Sequence, residues 1–262
     1  MTASGGRLVA TGISVVFPAP VRGERPTVAL DGFSLDVAAG EVVALIGPNG
    51  CGKSTFLRVA AGLLAPNTGS VSLDGDAIVA PDPRIGLVFQ EPRLLPWRSV
   101  ADNVAWPLEL AGRPRGEIAG RVAEQLDLVG LADAASLRPV QLSGGMRQRA
   151  AIARSLALAP QVLLLDEPFS ALDALTRERF NLDMLRLQER TATTVVIVTH
   201  SIPEAILMAD RVVVMTPRPG RVVAEVRIDA PRPRSLATLD GALVSGAAAE
   251  IRRHLELPEQ AA

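Results

Sequence analysis

Short runs of apolar residues alternate with helix-like patterns along the chain, which predicts an α/β fold. Segments 7–17 and 28–37 have the mixed apolar and polar pattern of strands, and we expect them to form an N-terminal antiparallel layer. Six further segments are short, mostly apolar and predict strands. They are 41–46, 70–73, 85–89, 162–166, 194–198 and 211–215.

A different pattern interrupts these strands in the middle of the chain. From about residue 92 to about residue 158 the strand signals disappear and helical periodicity dominates, most clearly at 100–110 and 116–128. We interpret this stretch as a helical subdomain inserted into one domain that spans residues 7–234. Residues 235–262 are expected to form a C-terminal tail that ends in a helix.

Composition limits the classes of function. The net charge is −1, which gives no indication of bulk binding to nucleic acid or to an anionic membrane. The single cysteine, Cys51, excludes an internal disulfide and a cysteine-based zinc site and fits a reducing compartment. The longest apolar runs have the length of strands, well short of the ~20 residues that span a bilayer. No secretory signal is visible at the N-terminus, so we expect any connection to a membrane to come through a partner.

The strongest single motif is a glycine-rich loop that follows the strand predicted at 41–46. Its sequence fits the pattern G-x-x-x-x-G-K-[ST] of a phosphate-binding loop, and it contains Lys53, the only lysine in the chain. A lysine head is a compact charge that fits between two phosphates, whereas a guanidinium is planar and bulky. The helix predicted at 53–64 would direct its N-terminal amides at the anion. The nucleotide contacts are expected from Gly47, Pro48, Asn49, Gly50, Cys51, Gly52, Lys53, Ser54 and Thr55.

Two carboxylates end the apolar strand predicted at 162–166. In phosphate-loop enzymes an aspartate at this place helps to hold Mg²⁺ together with the loop hydroxyl, which predicts a pair of Asp166 and Ser54. The next residue, Glu167, is a candidate to polarise an attacking water. The alternative is a strand that runs into an acidic turn.

A second candidate anion site precedes that strand. Residues 142–149 read Leu-Ser-Gly-Gly-Met-Arg-Gln-Arg, in which a serine and two glycines open a helix. A hydroxyl, free backbone N–H groups and a helix dipole together favour an anion, although a plain serine cap is the simpler alternative. Two phosphate-binding elements in one chain need not bind the same nucleotide in the same chain.

Together these motifs resemble the ATP-binding subunits of ABC transporters, over residues 7–227. The resemblance implies a phosphate-loop NTPase core of the ABC ATPase type, which hydrolyses ATP with Mg²⁺. It also implies that 142–148 is the family's signature motif and that two subunits hold two ATP molecules head to tail. Each ATP then lies between the phosphate loop of one chain and the signature of the other. The signature contacts implied in this way are Ser143, Gly144, Gly145 and Gln148.

The same resemblance implies roles for four isolated residues. Gln90 matches the glutamine that contacts Mg²⁺ or water and senses the membrane partner, and His200 matches the switch histidine that contacts the γ-phosphate. Asp173, in the segment 170–173, matches the aspartate that crosses the dimer interface, and Phe17 lies where an aromatic stacks on adenine. Their structural alternatives are a surface glutamine, a structural histidine, a helix cap and a core phenylalanine.

Two strings narrow the resemblance within the family. Residues 91–97 and 215–221 resemble the nitrate, sulfonate and taurine branch of bacterial importers, although branches for bicarbonate or thiamine precursors carry similar strings. The resemblance implies a peripheral subunit at the cytoplasmic face of the cell membrane that energises uptake of an oxyanion or sulfonate. The ATPase of a two-component exporter and a non-transport ABC ATPase remain as alternatives.

The implied partners are proteins and not nucleic acid. Permease subunits would dock around residues 90–97, a second copy of the ATPase would complete the dimer, and a solute-binding protein would act indirectly. Trp97 either anchors the permease interface or packs inside the helical subdomain, because tryptophan is enriched at interfaces but is usually well buried.

Overall fold

The computed structural model describes residues 5–19, 25–169, 174–232, 234 and 240–256. The strands are β1 (Leu8–Phe17), β2 (Thr27–Val37), β3 (Val42–Ile46), β4 (Thr68–Leu73), β5 (Asp76–Ala77), β6 (Ile85–Val88), β7 (Val162–Asp166), β8 (Thr194–Val198), β9 (Arg211–Met215) and β10 (Val222–Arg227). The α-helices are α1 (Lys53–Ala60), α2 (Val100–Leu110), α3 (Arg115–Leu128), α4 (Gly144–Leu156), α5 (Ala174–Thr191), α6 (Ile202–Met208) and α7 (Gly241–Glu256).

The larger sheet lies at the centre and confirms the α/β prediction. Its strand order is β10-β9-β3-β8-β7-β6, and all neighbours are parallel except β10, which runs antiparallel to β9 at the edge. Every residue of β3, β7 and β8 is buried, because helices or the second sheet cover both faces. This double burial explains why these strands appear in the sequence as continuous apolar runs.

Alternate residues of the larger sheet face two separate cores. In β7, Leu164 packs towards α1 and the smaller sheet, whereas Leu163 and Leu165 pack towards the core that contains the other helices. The smaller sheet has the antiparallel order β2-β1-β4-β5, which confirms the predicted N-terminal layer and adds β4 and β5 to it. The phosphate loop and α1 are therefore held between the two sheets.

The stretch between β6 and β7 is helical, as the sequence pattern predicts. It holds α2, α3, α4 and two short 3-10 helices, and α2 begins with a capping box in which Ser99 and Asp102 exchange hydrogen bonds. In the predicted tail, α7 packs against α6, β9 and β10, and its Ile251 is fully buried. The division into one domain and a tail stays a prediction. Among the described residues, no helix has the length and apolar character needed to cross a membrane.

The predicted helix at 53–64 is too long, because α1 ends at Ala60. Gly62 stops it: this residue has a φ of +69°, and a β-carbon there would lie 2.2 Å from the carbonyl oxygen of Ala80. The N–H groups of Leu63 and Leu64 both donate hydrogen bonds to the carbonyl of Arg58, which ends the helical pattern. Helix α5, helix α6 and strand β10 were not predicted from the sequence pattern.

Candidate functional site

Four neighbouring strands of the larger sheet end at the same edge, and each is followed by predicted site residues. The phosphate loop follows β3, His200 follows β8, Asp166 ends β7 with Glu167 next to it, and Gln90 follows β6. The carboxyl ends of parallel strands are where α/β proteins bind ligands. A pocket of about 600 Å³ opens there. Its lining includes Asn49, Gly50, Gly52, Lys53, Ser54 and Thr55.

The phosphate loop takes its shape from glycines in the left-handed region. Gly50 has a φ of +77° and Gly52 a φ of +107°, and a β-carbon on Gly52 would lie 2.7 Å from the carbonyl oxygen of Ala29. Lys53, the first residue of α1, is buried, and its Nζ donates to the carbonyl oxygens of Gly47 at 2.8 Å and Pro48 at 3.0 Å. The ammonium and the N-terminus of α1 therefore meet inside one tight loop, which is suited to an anion. Cys51, a residue of the loop, is buried.

Ser54 and Asp166 form the second part of the site. The Ser54 hydroxyl donates to Oδ1 of Asp166 at 2.8 Å, although the two residues are 112 positions apart in the chain. Burial raises the pKa of the Asp166 carboxyl, and the hydrogen bond from Ser54 opposes that rise. A hydroxyl and a carboxylate oxygen are hard donors of the kind that Mg²⁺ prefers.

Glu167 is the centre of a third group. Its Oε2 lies 3.3 Å from Nε2 of Gln90 and 3.3 Å from Nδ1 of His200. Its backbone has a φ of +41°, and its N–H donates to the carbonyl of Val198 at 3.0 Å. A non-glycine residue in this conformation is strained, and such strain is concentrated at functional sites. The structure thus brings Gln90, Glu167 and His200 together, as their sequence positions predict.

Phe17 and Trp97 are both exposed, which excludes the core alternative for each. Phe17 ends β1, exposes 37% of its surface and lines the pocket together with Thr27 and Ala29. Trp97 exposes 69% of its surface in the segment that follows Gln90. It therefore does not pack inside the helical stretch.

The signature residues lie apart from the pocket. Ser143 caps α4 by accepting a hydrogen bond from the N–H of Met146 at 3.2 Å, and this serine is exposed. Gly144 and Gly145 form the first turn of α4, and Gln148 follows in the next turn with only 4% of its surface exposed. None of these residues is among those that line the 600 Å³ pocket of the described chain. Asp173 lies outside the described residues.

Two residues near the site were not singled out from the sequence. Glu204, on α6, is buried, and this burial raises the pKa of its carboxyl to about 7, against the opposing effects of Thr199 and Arg177. Arg218 lines the pocket and donates from Nε to the carbonyl of Gly50 at 3.1 Å. The signal for Glu204 is its position four residues after His200, and the signal for Arg218 is the segment 215–221, which resembles one branch of importers.

The comparison with known families agrees with this geometry. Residues 30–170 match the family model described as ABC transporter. The chain belongs to the ABC transporter family. It is an ATP-binding subunit that hydrolyses ATP, with the mixed parallel and antiparallel architecture of an ABC ATPase cassette.

Curated relatives and solved structures support this assignment. The ABC subunit is 52% identical over 200 residues to the aliphatic sulfonates import ATP-binding protein SsuB 2 of Burkholderia lata, a match that covers 76% of this chain and 72% of the relative. It is 46% identical to the taurine import ATP-binding protein TauB of Roseobacter denitrificans over 76% of this chain and 75% of the relative. Among solved structures, it resembles the dimeric post-hydrolysis state of the ATP-binding cassette MJ0796 bound to ADP and Pi. The TM-score is 0.75 at 33% identity, covering 86% of this chain and all of the other.

Proposed function

We propose that this ABC ATPase powers the import of a small sulfonate or a related oxyanion through a membrane permease. The observation that carries the proposal is the identity of 52% and 46% with two import subunits whose names specify aliphatic sulfonates and taurine. Taurine is itself an aminosulfonate, so both names point to one chemical class. The ATPase does not select the solute, and the proposal assigns that selection to a permease and an external binding protein.

The phosphate loop is proposed to hold the triphosphate of ATP. Lys53 lies at the N-terminus of α1, and the amides of Gly50, Cys51 and Gly52 belong to a loop in which Gly50 and Gly52 adopt left-handed conformations. A cation, backbone amides and a helix dipole together stabilise a polyphosphate. Phe17 is proposed to stack on adenine, which its exposure at the pocket allows.

Ser54, Asp166 and Gln90 would hold a magnesium ion beside the phosphates of the bound ATP. Ser54 and Asp166 already share a hydrogen bond of 2.8 Å, so their oxygens converge on one place, and Gln90 can contribute an amide oxygen from the neighbouring strand end. When bound, Mg²⁺ would neutralise charge on the β- and γ-phosphates. Among the described residues, no group of three or more histidine, cysteine or acidic side chains could hold a metal ion by itself. This agrees with a metal that is shared with phosphate and water.

Glu167 is proposed to orient and deprotonate the attacking water. His200 and Gln90 both contact its Oε2, so the carboxylate is positioned from two sides. His200 is proposed to hold the γ-phosphate as well. Its side chain is 58% exposed, which leaves it accessible to a ligand or to a second subunit.

A second copy of the chain is proposed to complete the site. Ser143 and the first turn of α4, which holds Gly144 and Gly145, lie apart from the pocket of their own chain, which suits contact with the ATP of a partner. The contact implied for Gln148, whose side chain is buried, stays a prediction. Asp173 is proposed to lie at the same interface. The related cassette MJ0796 is itself described as a dimer.

The permease is proposed to dock at residues 90–97, which places the subunit peripherally at the cytoplasmic face of the membrane. Trp97 presents a large exposed aromatic surface seven residues after Gln90, and Gln90 contacts Glu167. A movement of the segment 90–97 would therefore be transmitted to the proposed catalytic carboxylate of Glu167 through the side chain of Gln90.

A pull-down of the tagged subunit from detergent-solubilised source membranes tests the proposal. Recovery of a multi-span permease with a solute-binding protein supports import, and titration of that binding protein with ethanesulfonate, taurine, nitrate and bicarbonate tests the solute class. Recovery of soluble partners alone would favour a non-transport ATPase. Recovery of a permease without a binding protein would favour an exporter.

A further inference from the structure

Residues 216–221, here called the strap, pack tightly against the phosphate loop. The N–H of Gly220 donates to the carbonyl of Ala29 at 3.0 Å, and the N–H of Asp31 donates to the carbonyl of Gly220 at 3.2 Å. A β-carbon on Gly220 would lie 2.0 Å from the carbonyl oxygen of Cys51, so only glycine permits this approach. The strap is thus fixed both to β2 and to the backbone of the phosphate loop.

Hydrogen bonds within the strap hold its shape. The hydroxyl of Thr216 donates to the carbonyl of Pro219 at 2.9 Å and accepts from the N–H of Arg221 at 3.0 Å. Arg221 also pairs with Asp31 on β2. Arg218 lies within the turn that these hydrogen bonds close. The position of its backbone is therefore set by the contacts of Thr216, Gly220 and Arg221.

Arg218 extends from this turn over Gly50. Its Nε donates to the carbonyl of Gly50 at 3.1 Å, and a β-carbon on Gly50 would lie 3.0 Å from its Nη2. A guanidinium carries five N–H groups, so four remain after this bond. Within the part of the chain that the structure describes, neither Nη atom makes a hydrogen bond or an ion pair.

The charges around the pocket favour an anionic ligand beside Arg218. Of the side chains that line it, Lys53 and Arg218 are cationic and Glu167 is anionic. Lys53 is 5% exposed and lies within the loop, whereas Arg218 is exposed at the pocket surface. A guanidinium fits phosphate oxygens through two parallel N–H groups, which a lysine cannot do.

We propose that Arg218 is a further nucleotide-binding residue, which donates from its Nη groups to the phosphates of the ATP held by residues 47–55. The strap then has two roles. Gly220 packs against the phosphate loop and stabilises it, and Arg218 places a second cation beside the polyphosphate. This proposal rests on ATP binding by the ABC subunit and is independent of the solute or of transport. Its failure would leave the proposed import function untouched.

Equilibrium titration of the purified full chain with ATP in EDTA tests the proposal without hydrolysis. We expect Arg218→Gln to raise the Kd for ATP about tenfold and Arg218→Lys to raise it about threefold, because lysine keeps the charge but loses the paired donors. Arg227→Gln is the matched control, since it removes the same charge from an exposed position of β10, outside both the strap and the pocket lining. It should change the Kd less than twofold. The dependence of the Kd on salt should weaken in Arg218→Gln alone.

Tripolyphosphate, which has no base or ribose, identifies the moiety that Arg218 contacts. A similar loss of tripolyphosphate and ATP binding in Arg218→Gln supports the phosphate contact. Weaker ATP binding with unchanged tripolyphosphate binding would overturn it in favour of a contact to the nucleoside. An unchanged Kd for ATP would also overturn the proposal. So would an equal loss of ATP affinity in the glutamine and lysine variants together with a lower Tm, because that result would mean that Arg218 only stabilises the loop at Gly50.

Discussion

Oε2 of Glu167 lies 3.3 Å from Nδ1 of His200, although 33 residues separate them in the chain. The contact joins the ends of two neighbouring strands, β7 and β8, whose register pairs Asp166 with Val198. The left-handed backbone of Glu167 and its N–H bond to Val198 turn its side chain towards the same edge. The carboxylate and the imidazole therefore lie directly after the ends of two neighbouring strands, whose pairing brings them together.

Replacement of Glu167 by glutamine tests its proposed role as the base. The amide keeps the size of the side chain but cannot accept a proton, so we expect ATP turnover to fall by at least about 100-fold with little change in the Kd for ATP. The protein should then accumulate as an ATP-bound dimer, visible by size-exclusion chromatography. Glu189→Gln, at an exposed position of α5, should behave like the wild type. Turnover near the wild-type rate in Glu167→Gln would show that another group activates the water.

Removal of the Ser54 hydroxyl tests the proposed magnesium site. Ser54→Ala deletes one of the two oxygens that converge at 2.8 Å, so we expect the Mg²⁺ concentration for half-maximal ATPase activity to rise about tenfold or more. ATP binding in EDTA should change less than about threefold. Ser245→Ala, on α7, controls for the loss of a hydroxyl that donates to a backbone carbonyl. An unchanged Mg²⁺ requirement would remove Ser54 from the proposed ligands.

The sequence pattern predicted most of the larger sheet because its central strands are buried on both faces. β7 and β8 consist of five buried residues each, and so short an apolar run between turn signals favours a buried strand over a helix. Strand β10 was not predicted because it lies at the edge of the sheet. Partly buried residues alternate there with exposed ones, so the segment has no continuous apolar run. Similarly, α5 carries many charged residues and a weak apolar stripe.

The phosphate loop, Asp166, Glu167 and His200 were predicted because local motifs at strand ends carry their chemistry. Arg218 could not be predicted in the same way, because the packing of Gly220 against Cys51 determines where the strap lies. The environment of Glu204 likewise depends on how α6 packs, and its sequence shows only one acidic residue in the first turn of a short helix. Sequence motifs thus located the chemistry, whereas long-range packing added the residues around it.

Trp97→Ala tests the proposed permease contact. The side chain is 69% exposed, so its removal should leave the Tm and the Kd for ATP of the isolated chain almost unchanged. If Trp97 is an interface anchor, the variant should recover at least about tenfold less permease in the pull-down, and solute uptake should fall with it. Val79→Ala removes another exposed apolar side chain, outside the segment 90–97, and should retain both permease recovery and solute uptake. Normal permease recovery by Trp97→Ala would contradict the contact.

Glu204 should make the stability of the fold depend on pH. Burial raises the pKa of its carboxyl from 4.5 to about 7, so the folded chain holds a proton there that the unfolded chain has released between these pH values. The free energy of unfolding should therefore fall as the pH rises through this window, by at most about 3 kcal/mol at pH 8. Asp166, whose pKa is also raised, contributes in the same direction.

Glu204→Gln removes the ionisation of Glu204 and should flatten that profile. We expect the variant to unfold at a denaturant concentration close to that of the wild type at pH 5 and at a clearly higher one at pH 8, because the glutamine has no buried charge to form. Glu250→Gln, at an exposed position of α7, should follow the wild-type profile at every pH. A parallel profile for Glu204→Gln and the wild type would mean that Glu204 stays ionised in the fold, with Thr199 and Arg177 compensating for its burial.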